Sequence, residues 1–310
     1  MRQYFRIMLG KKSMYATECF EGNFIGADYD IKQDLSNSLT DNWREFNQLF
    51  IPVYLQQHEG KSKIAAGLSC GALWTIIKGI NKGDIVLCPN GLGSYFVGEV
   101  LSDYIYNVDS ILPHRRLVKW FDTVIDRKSM SEQLQYSTGA LHTVCNISKF
   151  AQEIELLIKG QPTYSQAIIA TDDTIEDATV FALEKHLEDF LVHNWQSTAL
   201  GKDYDIFSEN GELIGQQYST DTGFIDILAI SKDKKSILVL ELKRGRASDI
   251  VVGQILRYMG YVQEELAETD QVVRGVIIAL EDDSKIKRAL LMCPSIEFYR
   301  YEVKFNLYKQ

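Results

Sequence analysis

The sequence predicts an α/β protein with two domains, a mixed α/β barrel in residues 1–160 and an αβββαβ sheet domain in residues 176–310. The first half is rich in aromatic residues and turn signals, whereas the second half alternates helical periodicity with strand-like apolar runs. The length of 310 residues is enough for two domains of ordinary size. Residues 161–175 are predicted to connect them.

The composition excludes several classes of protein. Hydrophobic residues make up 45% of the chain and charged residues 24%, the balance of a folded protein rather than a disordered one. No apolar run approaches the ~20 residues of a membrane helix, and charges interrupt the N-terminus where a secretory signal is apolar. We therefore expect a cytoplasmic location without membrane association. The five cysteines form no Cys-x-x-Cys pair, which predicts small buried residues rather than a zinc or disulfide framework.

The negative charge lies in the second half of the chain. Residues 1–160 contain 17 Lys+Arg and 17 Asp+Glu, whereas residues 161–310 contain 16 and 25, which accounts for the net charge of −9. A charge of this sign argues against nonspecific coating of nucleic acid. Local basic patches would have to contact phosphate, and some of the carboxylates are available as metal ligands.

Short strands and two helices are predicted in the first half from apolar runs between glycine-rich turns. The strands are Tyr4–Leu9, Ile85–Cys88 and Tyr95–Val100, and the helices lie near Asn42–Leu49 and Leu68–Ile77. Helical spacing of apolar residues also predicts a helix over residues 149–160, directly before the connector.

The second half is predicted to begin with a helix that has an apolar stripe, followed by three strands, a second helix and two more strands. The helices are Thr179–Val192 and about Ile250–Leu266, and the strands are Leu213–Tyr218, Gly223–Ile230, Ser236–Leu242, Val273–Leu280 and Ile296–Phe305. This order describes a sheet flanked by helices.

A β-hairpin in the second half is predicted to bring two carboxylates face to face. Two apolar runs are joined by a short polar segment, and a turn centred on Asp233 and Lys234 places Asp226 opposite Glu241. Lys243 shares the face of Glu241, because side chains alternate along a strand.

Two opposed carboxylates in an apolar hairpin need a partner that offsets their repulsion and desolvation. A divalent cation does so, and carboxylate oxygens favour Mg²⁺ or Mn²⁺. A bound metal lowers the pKa of its water and stabilises charge during phosphodiester hydrolysis, and Lys243 is placed to orient that water. The alternative is a buried ion pair of Asp226 or Glu241 with Lys243, without catalysis.

The spacing of these residues resembles the PD-(D/E)XK nuclease signature, with fourteen residues between Asp226 and the Glu241–Lys243 segment. The continuation through Arg244–Ala247 and Gly253–Tyr258 resembles the NucS-like branch of that superfamily. The resemblance covers about residues 179–305, and Ile225 stands where the superfamily has a proline.

The resemblance implies further site residues. In this family a glutamate on the preceding helix often completes the metal site with Asp226 and Glu241, and Glu184 matches the family spacing better than the alternative, Glu188. The family also places a glutamine near the metal, and here that residue is Gln254.

Residues beside this motif are candidates for contacts with DNA. Arg244 and Arg246 follow Lys243 closely, and Arg257 is a candidate for phosphate on the next helix. Tyr258 shares a helix face with Gln254 and is a candidate as well. A solvated helix face is the alternative for Arg257.

Pieces of the first half resemble, in their order, the EVE/PUA-like modules found ahead of nucleases in Mrr-type restriction systems. They span about residues 1–147 and are Tyr4–Met8, Phe24–Tyr29, Leu73–Trp74, Lys82–Val86, Val97–Val100 and His114–Trp120. Members of that fold class are proposed to read modified bases, so the resemblance implies a base reader in this half.

Recognition of a base outside its stack needs aromatic faces and polar groups at the base edge. The candidate faces are Trp74, Tyr95, Tyr29 and Phe24, and Asp28 is the candidate acceptor; a place in the barrel core is the alternative for each aromatic. A basic cluster is the candidate for phosphate contacts, with a solvated turn after Pro113 as the alternative. Its members are His114, Arg115, Arg116 and Lys119.

The sequence therefore predicts a DNA endonuclease that depends on Mg²⁺ or Mn²⁺, with a reader in the first half and a cutter in the second. The favoured hypothesis is a modification-dependent restriction enzyme acting on DNA with modified bases. The alternatives are a NucS-like nuclease for repair or branched structures, and a catalytically silent nucleic-acid-binding protein. Double-strand cutting would require two active sites, so a homodimer is compatible with this function.

Overall fold

The chain folds into two compact units, Met1–Ile168 and Ile169–Gln310, in a computed structural model that describes residues 2–139, 142–161, 178–209 and 212–302. The predicted connector at residues 161–175 lies, apart from Gln161, outside the described residues. None of the helices in the described ranges combines the length and apolar character that crossing a membrane requires.

The N-terminal unit is built on one curled, mixed sheet of seven strands. Its strands and helices are β1 (Tyr4–Ile7), α1 (Ala16–Glu21), β2 (Phe24–Ala27), α2 (Trp43–Gln57), α3 (Lys63–Trp74), β3 (Ile85–Pro89), β4 (Ser94–Val100), β5 (Ile105–Tyr106), β6 (His114–Asp126), α4 (Glu132–Thr138), β7 (Val144–Asn146) and α5 (Ala151–Ile158). The strand order is β2-β6-β4-β3-β1-β7, and β5 pairs with β6. Only β1 and β3 pair in parallel among these neighbours. The mixed α/β class predicted for this half is confirmed.

Both faces of this sheet are buried. Consecutive residues of strands β1 and β3 belong to two different hydrophobic cores. Phe5 and Val86 pack with helices α2 and α3, whereas Tyr4 and Ile85 pack with helix α5. Strands of this kind are hydrophobic at consecutive positions, and the alternation of apolar and polar residues that marks a one-sided strand is lost.

The helices predicted near Asn42–Leu49 and Leu68–Ile77 are both longer than predicted. Helix α2 continues beyond Leu49 through Pro52, and helix α3 is followed directly by a π-helical turn at Thr75–Gly79. Each helix begins where the sequence supplies a capping side chain, because Asn42 and Ser62 accept hydrogen bonds from backbone amides of the first turn.

The prediction that the cysteines are small buried residues is confirmed for four of the five. Four are buried, Cys293 is half-buried, and all five are free thiols. Burial raises the pKa of the Cys19 and Cys70 thiols to about 12. These thiols therefore stay protonated at neutral pH, and the thiolate that would bind metal or attack a substrate does not form.

The C-terminal unit is a six-stranded sheet flanked by helices. Its elements are α6 (Ala178–His193), β8 (Tyr204–Ile206), β9 (Ser208–Glu209), β10 (Glu212–Leu213), β11 (Gln216–Thr220), β12 (Gly223–Ser231), β13 (Ser236–Arg246), α7 (Ile250–Tyr261), β14 (Val272–Glu281), α8 (Ser284–Leu291) and β15 (Ile296–Arg300). The strand order is β11-β12-β13-β14-β15 with β8 paired to β12, while β9 and β10 pair separately. The predicted αβββαβ order is present in α6, β11, β12, β13, α7 and β14. The sequence missed β8, β9 and α8. The two strands have three and two residues, and the helix has about two turns with one buried side chain, Ile286.

The register of the predicted hairpin is confirmed. Strands β12 and β13 are antiparallel, with Ile227 opposite Leu240 and the following pairs in step. Continued by one residue, this register places Asp226 opposite Glu241.

The turn between β12 and β13 fixes this register. The Oδ1 atom of Asp233 accepts hydrogen bonds from Ser231 Oγ at 2.6 Å and from the Lys235 amide at 3.0 Å. Lys234 takes a φ of 61° in the same turn. A one-residue slip would break these contacts and would also turn every side chain of one strand to the other face.

Candidate active site

Asp226 and Glu241 lie where main-chain pairing between β12 and β13 ends. The last pair on this side is Ile227 with Leu240, so both carboxylates come one step beyond it. The side chain of Asp226 replaces the missing backbone contact, because its Oδ2 accepts a hydrogen bond from the Leu242 amide at 2.8 Å. The hairpin therefore holds the Asp226 carboxylate directly against β13.

Lys243 compensates the charge of a buried Glu241. The side chain of Glu241 is 2% exposed and that of Lys243 is 19% exposed, with 3.4 Å between Glu241 Oε1 and Lys243 Nζ. An ammonium at this distance offsets the cost of burying a carboxylate. The predicted shared face of Glu241 and Lys243 is confirmed, and the same contact is what the ion-pair alternative requires.

Helix α7 places Gln254 and Tyr258 beside the carboxylates. The pKa of the Tyr258 hydroxyl is raised, first by burial and then by the charge of Glu241. A hydrogen bond with Gln254 lowers this pKa, and the charge of Asp226 raises it. A Cβ atom on Gly223 would lie 2.7 Å from the Tyr258 hydroxyl, so the absence of a side chain there permits the approach. Tyr258 is therefore a neutral O–H donor at neutral pH.

Two consecutive glutamines contact Glu188 on helix α6, and the second of them also contacts Asp226. The Gln216 amide donates to Glu188 Oε1 at 2.7 Å. The Gln217 amide nitrogen donates to Glu188 Oε2 and also to Asp226 Oδ1, the latter at 3.0 Å. Glu188 is 4% exposed. The family spacing favours Glu184 instead, but the side chain of Glu184 lies outside the described residues. Glu188 is linked to Asp226 through the amide of Gln217.

The sequence did not predict a role for Gln216 or Gln217. Consecutive side chains of a regular strand point to opposite faces, but Gln217 has a φ of 52°, so both glutamines reach Glu188. The predicted strand Leu213–Tyr218 is divided between β10 and β11, and Gln217 lies within β11. No sequence signal marks a left-handed conformation at a glutamine.

The donors at this site suit a hard divalent cation. In the part of the chain that the structure describes, no three His, Cys, Asp or Glu side chains are grouped as a metal site. Glu188 and Asp226 nevertheless converge on one atom, the Gln217 amide nitrogen, and Glu241 lies opposite Asp226 in the hairpin register. Carboxylate oxygens are the ligands that Mg²⁺ and Mn²⁺ prefer.

The arginines near the motif differ in exposure. Arg246 and Arg257 are exposed, and Arg246 Nε is 3.5 Å from the Asp282 carbonyl oxygen. Arg244 is half-buried, and its carbonyl accepts a hydrogen bond from the Tyr301 hydroxyl. Arg246 and Arg257 are thus accessible to phosphate, and their contact with DNA stays a prediction.

Burial contradicts the predicted phosphate contact of Arg116. It is 3% exposed, and its guanidinium donates to four main-chain carbonyls, at Ser102 and at three residues of the segment that follows helix α3. Arg115 is half-buried over the Phe24 ring, with 3.8 Å from its guanidinium carbon to the ring centroid. Lys119 is exposed on β6, and for it the phosphate contact stays a prediction.

His114 is buried as well and takes no part in a surface cluster. Its Nε2 lies 2.7 Å from the Ile31 carbonyl oxygen, and its Nδ1 lies 2.9 Å from the Tyr104 hydroxyl. A neutral ring satisfies both contacts by donating to the carbonyl and accepting from the hydroxyl. The predicted phosphate contact is therefore wrong for His114.

The burial of His114 predicts that the N-terminal unit loses stability on mild acidification. Burial lowers the pKa of the His114 imidazole, so the unfolded chain, with a histidine pKa near ~6.5, binds a proton before the folded protein does. The stabilising contribution is present above about pH 6.5 and is lost as the pH falls through the folded pKa. We expect the urea midpoint, followed by tryptophan fluorescence, to fall between about pH 7.5 and about pH 5.5, and less steeply in His114→Gln. An equal decrease in both proteins would contradict this assignment.

The candidate base-pocket residues do not form one pocket. Tyr95 belongs to one core cluster of the N-terminal unit, whereas Phe24 belongs to the other, against which Tyr29 and Trp74 pack. The carboxylate of Asp28 accepts hydrogen bonds from the amides of the two residues that follow it, as in an Asx turn. The core alternative therefore holds for Phe24 and Tyr95, which are 5% and 3% exposed and present no open face to a base.

An open cavity of about 740 Å³ in the N-terminal unit was not predicted. Tyr104 and Arg116 form part of its wall, and none of the candidate base-pocket residues lines it. Two surface ion pairs lie on it, Lys78 with Asp41 and Lys82 with Asp103, each with a nitrogen–oxygen distance of 2.6 Å. Exposed pairs of this kind are weak and open readily to other ligands.

Comparison with known proteins matches the two halves of the chain to different families. Residues 183–305 match the endonuclease NucS C-terminal domain, and residues 5–148 match a domain of unknown function, DUF8426. Endonuclease NucS from Methanocaldococcus jannaschii is 36% identical over 75 residues, which are 24% of this chain and 27% of that protein. Endonuclease NucS from Pyrococcus horikoshii is 37% identical over 84 residues, 27% of this chain and 31% of that protein. The chain thus spans less than a third of the length of the curated relatives it matches.

Two solved structures show a weaker likeness. The structure of an EndoMS–dsDNA2 complex has a TM-score of 0.33 and 17% identity, covering 68% of this chain and 62% of that one. A repair endonuclease from Pyrococcus abyssi has a TM-score of 0.31 and 18% identity, covering 69% and 66%. The sequence matches therefore make residues 183–305 similar to the endonuclease NucS C-terminal domain. The EVE/PUA-like resemblance of the N-terminal half stays a prediction.

Proposed function

We propose that the C-terminal unit is a DNA endonuclease that depends on Mg²⁺ or Mn²⁺, and that the N-terminal unit selects the DNA to be cut. The observation that carries the proposal is the hairpin register, which places Asp226 opposite Glu241 with Lys243 beside it. These residues lie within the segment that matches the endonuclease NucS C-terminal domain.

Each residue of the site has a proposed role. Asp226, Glu241 and Glu188 would hold the cation, which when bound acidifies a water and stabilises charge on the phosphate. Lys243 orients the attacking water and neutralises developing negative charge, because its ammonium lies at the partly exposed edge of the carboxylate pair. Tyr258 contributes an O–H donor.

The N-terminal unit is proposed to make the enzyme a modification-dependent restriction enzyme. Its EVE/PUA-like resemblance supports this proposal, and the open cavity beside Tyr104 offers a concave site, although with other residues than those predicted. The match of the C-terminal segment to NucS favours the second candidate, a nuclease for repair or branched DNA structures.

One cleavage assay tests these proposals. The full chain is incubated with Mg²⁺ and duplexes that are unmodified, base-modified, mismatched or flapped. Cleavage of the modified duplex alone supports the restriction function, and cleavage of the mismatched or flapped duplexes alone supports the repair function. Absence of metal-dependent cleavage on every duplex would contradict the endonuclease proposal.

Glu188 is expected to matter more than Glu184 for metal binding. Glu188→Gln removes the carboxylate charge that Gln217 links to Asp226. We expect this variant to lose most of the rise in melting temperature that Mn²⁺ produces. Glu184→Gln, one helical turn away, is the matched control and is expected to retain that rise. The reverse result would restore Glu184, which the family spacing favours, as the metal ligand.

A further inference from the structure

We propose that the Gln217 side chain occupies the cation position between Glu188 and Asp226 in the metal-free protein and must leave it when the cation binds. Gln217 would thus be a positioning residue that keeps two metal-binding carboxylates close together and sets how tightly the metal binds. The inference rests on the proposed metal-dependent function and goes beyond it, because it assigns a residue outside the recognised motif.

The contacts of the Gln217 amide are those expected of a stand-in for a cation. Its nitrogen donates to Glu188 Oε2 and, at 3.0 Å, to Asp226 Oδ1, so one –NH₂ group satisfies two carboxylates of different elements. An amide nitrogen offers two donors and no acceptor, which suits a position between two negative groups. Hydrogen bonds to charged acceptors are stronger than neutral ones, so this contact offsets part of the repulsion between the carboxylates.

The backbone is shaped to bring this side chain to the carboxylates. Gln217 has a φ of 52°, a left-handed conformation that a residue with a Cβ adopts only at a cost. Its neighbours on β11 pair regularly with β12, Gln216 opposite Ile227 and Tyr218 opposite Ile225. The irregularity is thus confined to the residue whose side chain reaches Asp226, and backbone strain of this kind concentrates at functional sites.

A cation and the amide nitrogen compete for the same two oxygens. Binding of the cation to wild-type protein must break the hydrogen bonds that Gln217 makes, and this cost lowers the observed affinity. Without the Gln217 amide, cation binding no longer has to break these hydrogen bonds. In the metal-free protein, the same change increases the repulsion between the two carboxylates. The substitution is therefore expected to destabilise the metal-free protein and to strengthen metal binding.

Gln216 supplies a matched control on the neighbouring position. It donates to the other oxygen of Glu188, at 2.7 Å, and to Asp189 at 3.2 Å, and neither contact lies between Glu188 and Asp226. Gln216→Ala therefore removes a glutamine from the same carboxylate without opening the cation position.

The experiment measures Mn²⁺ affinity by calorimetry and melting temperature with and without Mn²⁺, on the full chain, for wild type, Gln217→Ala, Gln217→Gly and Gln216→Ala. We expect both Gln217 variants to bind Mn²⁺ on the order of tenfold more tightly than wild type, equivalent to about 1.4 kcal/mol. Gln216→Ala is expected to stay close to wild type. Gln217→Gly separates the amide from the backbone, because glycine accepts the left-handed conformation without strain.

The outcomes separate this inference from the proposed function. If wild type binds Mn²⁺ and Gln217→Ala binds it equally or more weakly, Gln217 is not a competitor, and only the inference is overturned. Tighter binding in Gln217→Gly alone would assign the effect to the backbone and would also overturn it. If neither wild type nor any variant binds Mn²⁺, the metal-dependent function itself fails.

Discussion

Lys243→Met is expected to lower the rate of DNA cleavage about 10²- to 10³-fold, the loss typical of removing one group that stabilises developing charge. The substitution keeps the aliphatic stem and removes only the ammonium, which lies 3.4 Å from Glu241 Oε1. Because Lys243 is proposed to act on water and phosphate rather than to bind the metal, the rise in melting temperature with Mn²⁺ should persist. Rates are measured under single-turnover conditions with saturating Mg²⁺.

The catalytic hypothesis and the ion-pair alternative predict the same loss of stability for this variant and differ in the rate of cleavage. Loss of the ammonium leaves the buried Glu241 carboxylate without this compensation, so the metal-free protein is expected to lose about 1–3 kcal/mol of unfolding free energy. Adding Glu241→Gln removes the buried charge and should restore most of that stability, since the two residues act as a pair. If Lys243 were only structural, cleavage by the single variant would match that of wild type wherever the protein remains folded.

Lys232→Ala is the matched control for Lys243→Met. Lys232 follows the last residue of β12 at the other end of the hairpin, and its Nζ donates to the Gly201 carbonyl at 3.0 Å. Its removal takes away one lysine charge from the same hairpin without touching the carboxylates, so cleavage is expected to stay near the wild-type rate. If Lys243→Met cleaves DNA as fast as Lys232→Ala, Lys243 has no role in the cleavage mechanism.

The central part of the site was predictable because its geometry is local. The turn chemistry around Asp233 sets the register, and strand alternation then sets the faces of Asp226, Glu241 and Lys243. These residues lie within one hairpin, so no long-range packing had to be inferred. That Gln254 and Tyr258 share a helix face was predictable from their spacing of four residues, whereas the role of Gln254 came from the family resemblance.

The remainder of the site depends on information that the pattern of residues does not contain. Glu184 and Glu188 lie one turn apart on helix α6, and sequence periodicity does not specify which turn meets β11. The role of Gln217 depends on a left-handed backbone that breaks strand alternation. Both features are set by packing between elements distant in the sequence.

Several predicted site residues of the N-terminal unit are buried, and the reason is different. Both faces of its sheet are buried, so aromatic residues such as Tyr4 and Phe5 occupy opposite cores, and an aromatic residue there does not indicate a binding surface. Charged residues are normally exposed, which makes a basic cluster a reasonable surface prediction. His114 and Arg116 are exceptions because main-chain carbonyls inside the unit need their donors.

Arg116→Ala is expected to destabilise the N-terminal unit by about 3 kcal/mol, because hydrogen bonds from a charged donor to buried carbonyls are lost together. The guanidinium joins β6 to the end of the helical segment after α3, with its shortest bond there, 2.8 Å, to the Ile80 carbonyl. Helix C-termini carry unsatisfied carbonyls that need such partners. Unfolding in urea is followed by the fluorescence of Trp43, Trp74 and Trp120, which lie in this unit.

Lysine is not expected to make the hydrogen bonds of Arg116. The guanidinium has several donors in a fixed fork and contacts Ser102 and Ile80 at once, whereas a lysine has a single ammonium. Arg116→Lys is therefore expected to recover little of the stability. Lys119→Ala, an exposed position three residues along the same strand, is the control and should leave the urea midpoint unchanged. The role first predicted for Arg116, a phosphate contact, gives the opposite pattern: an unchanged midpoint, weaker DNA binding and a salt dependence reduced by about one charge. Observation of that pattern would support the phosphate contact predicted for Arg116.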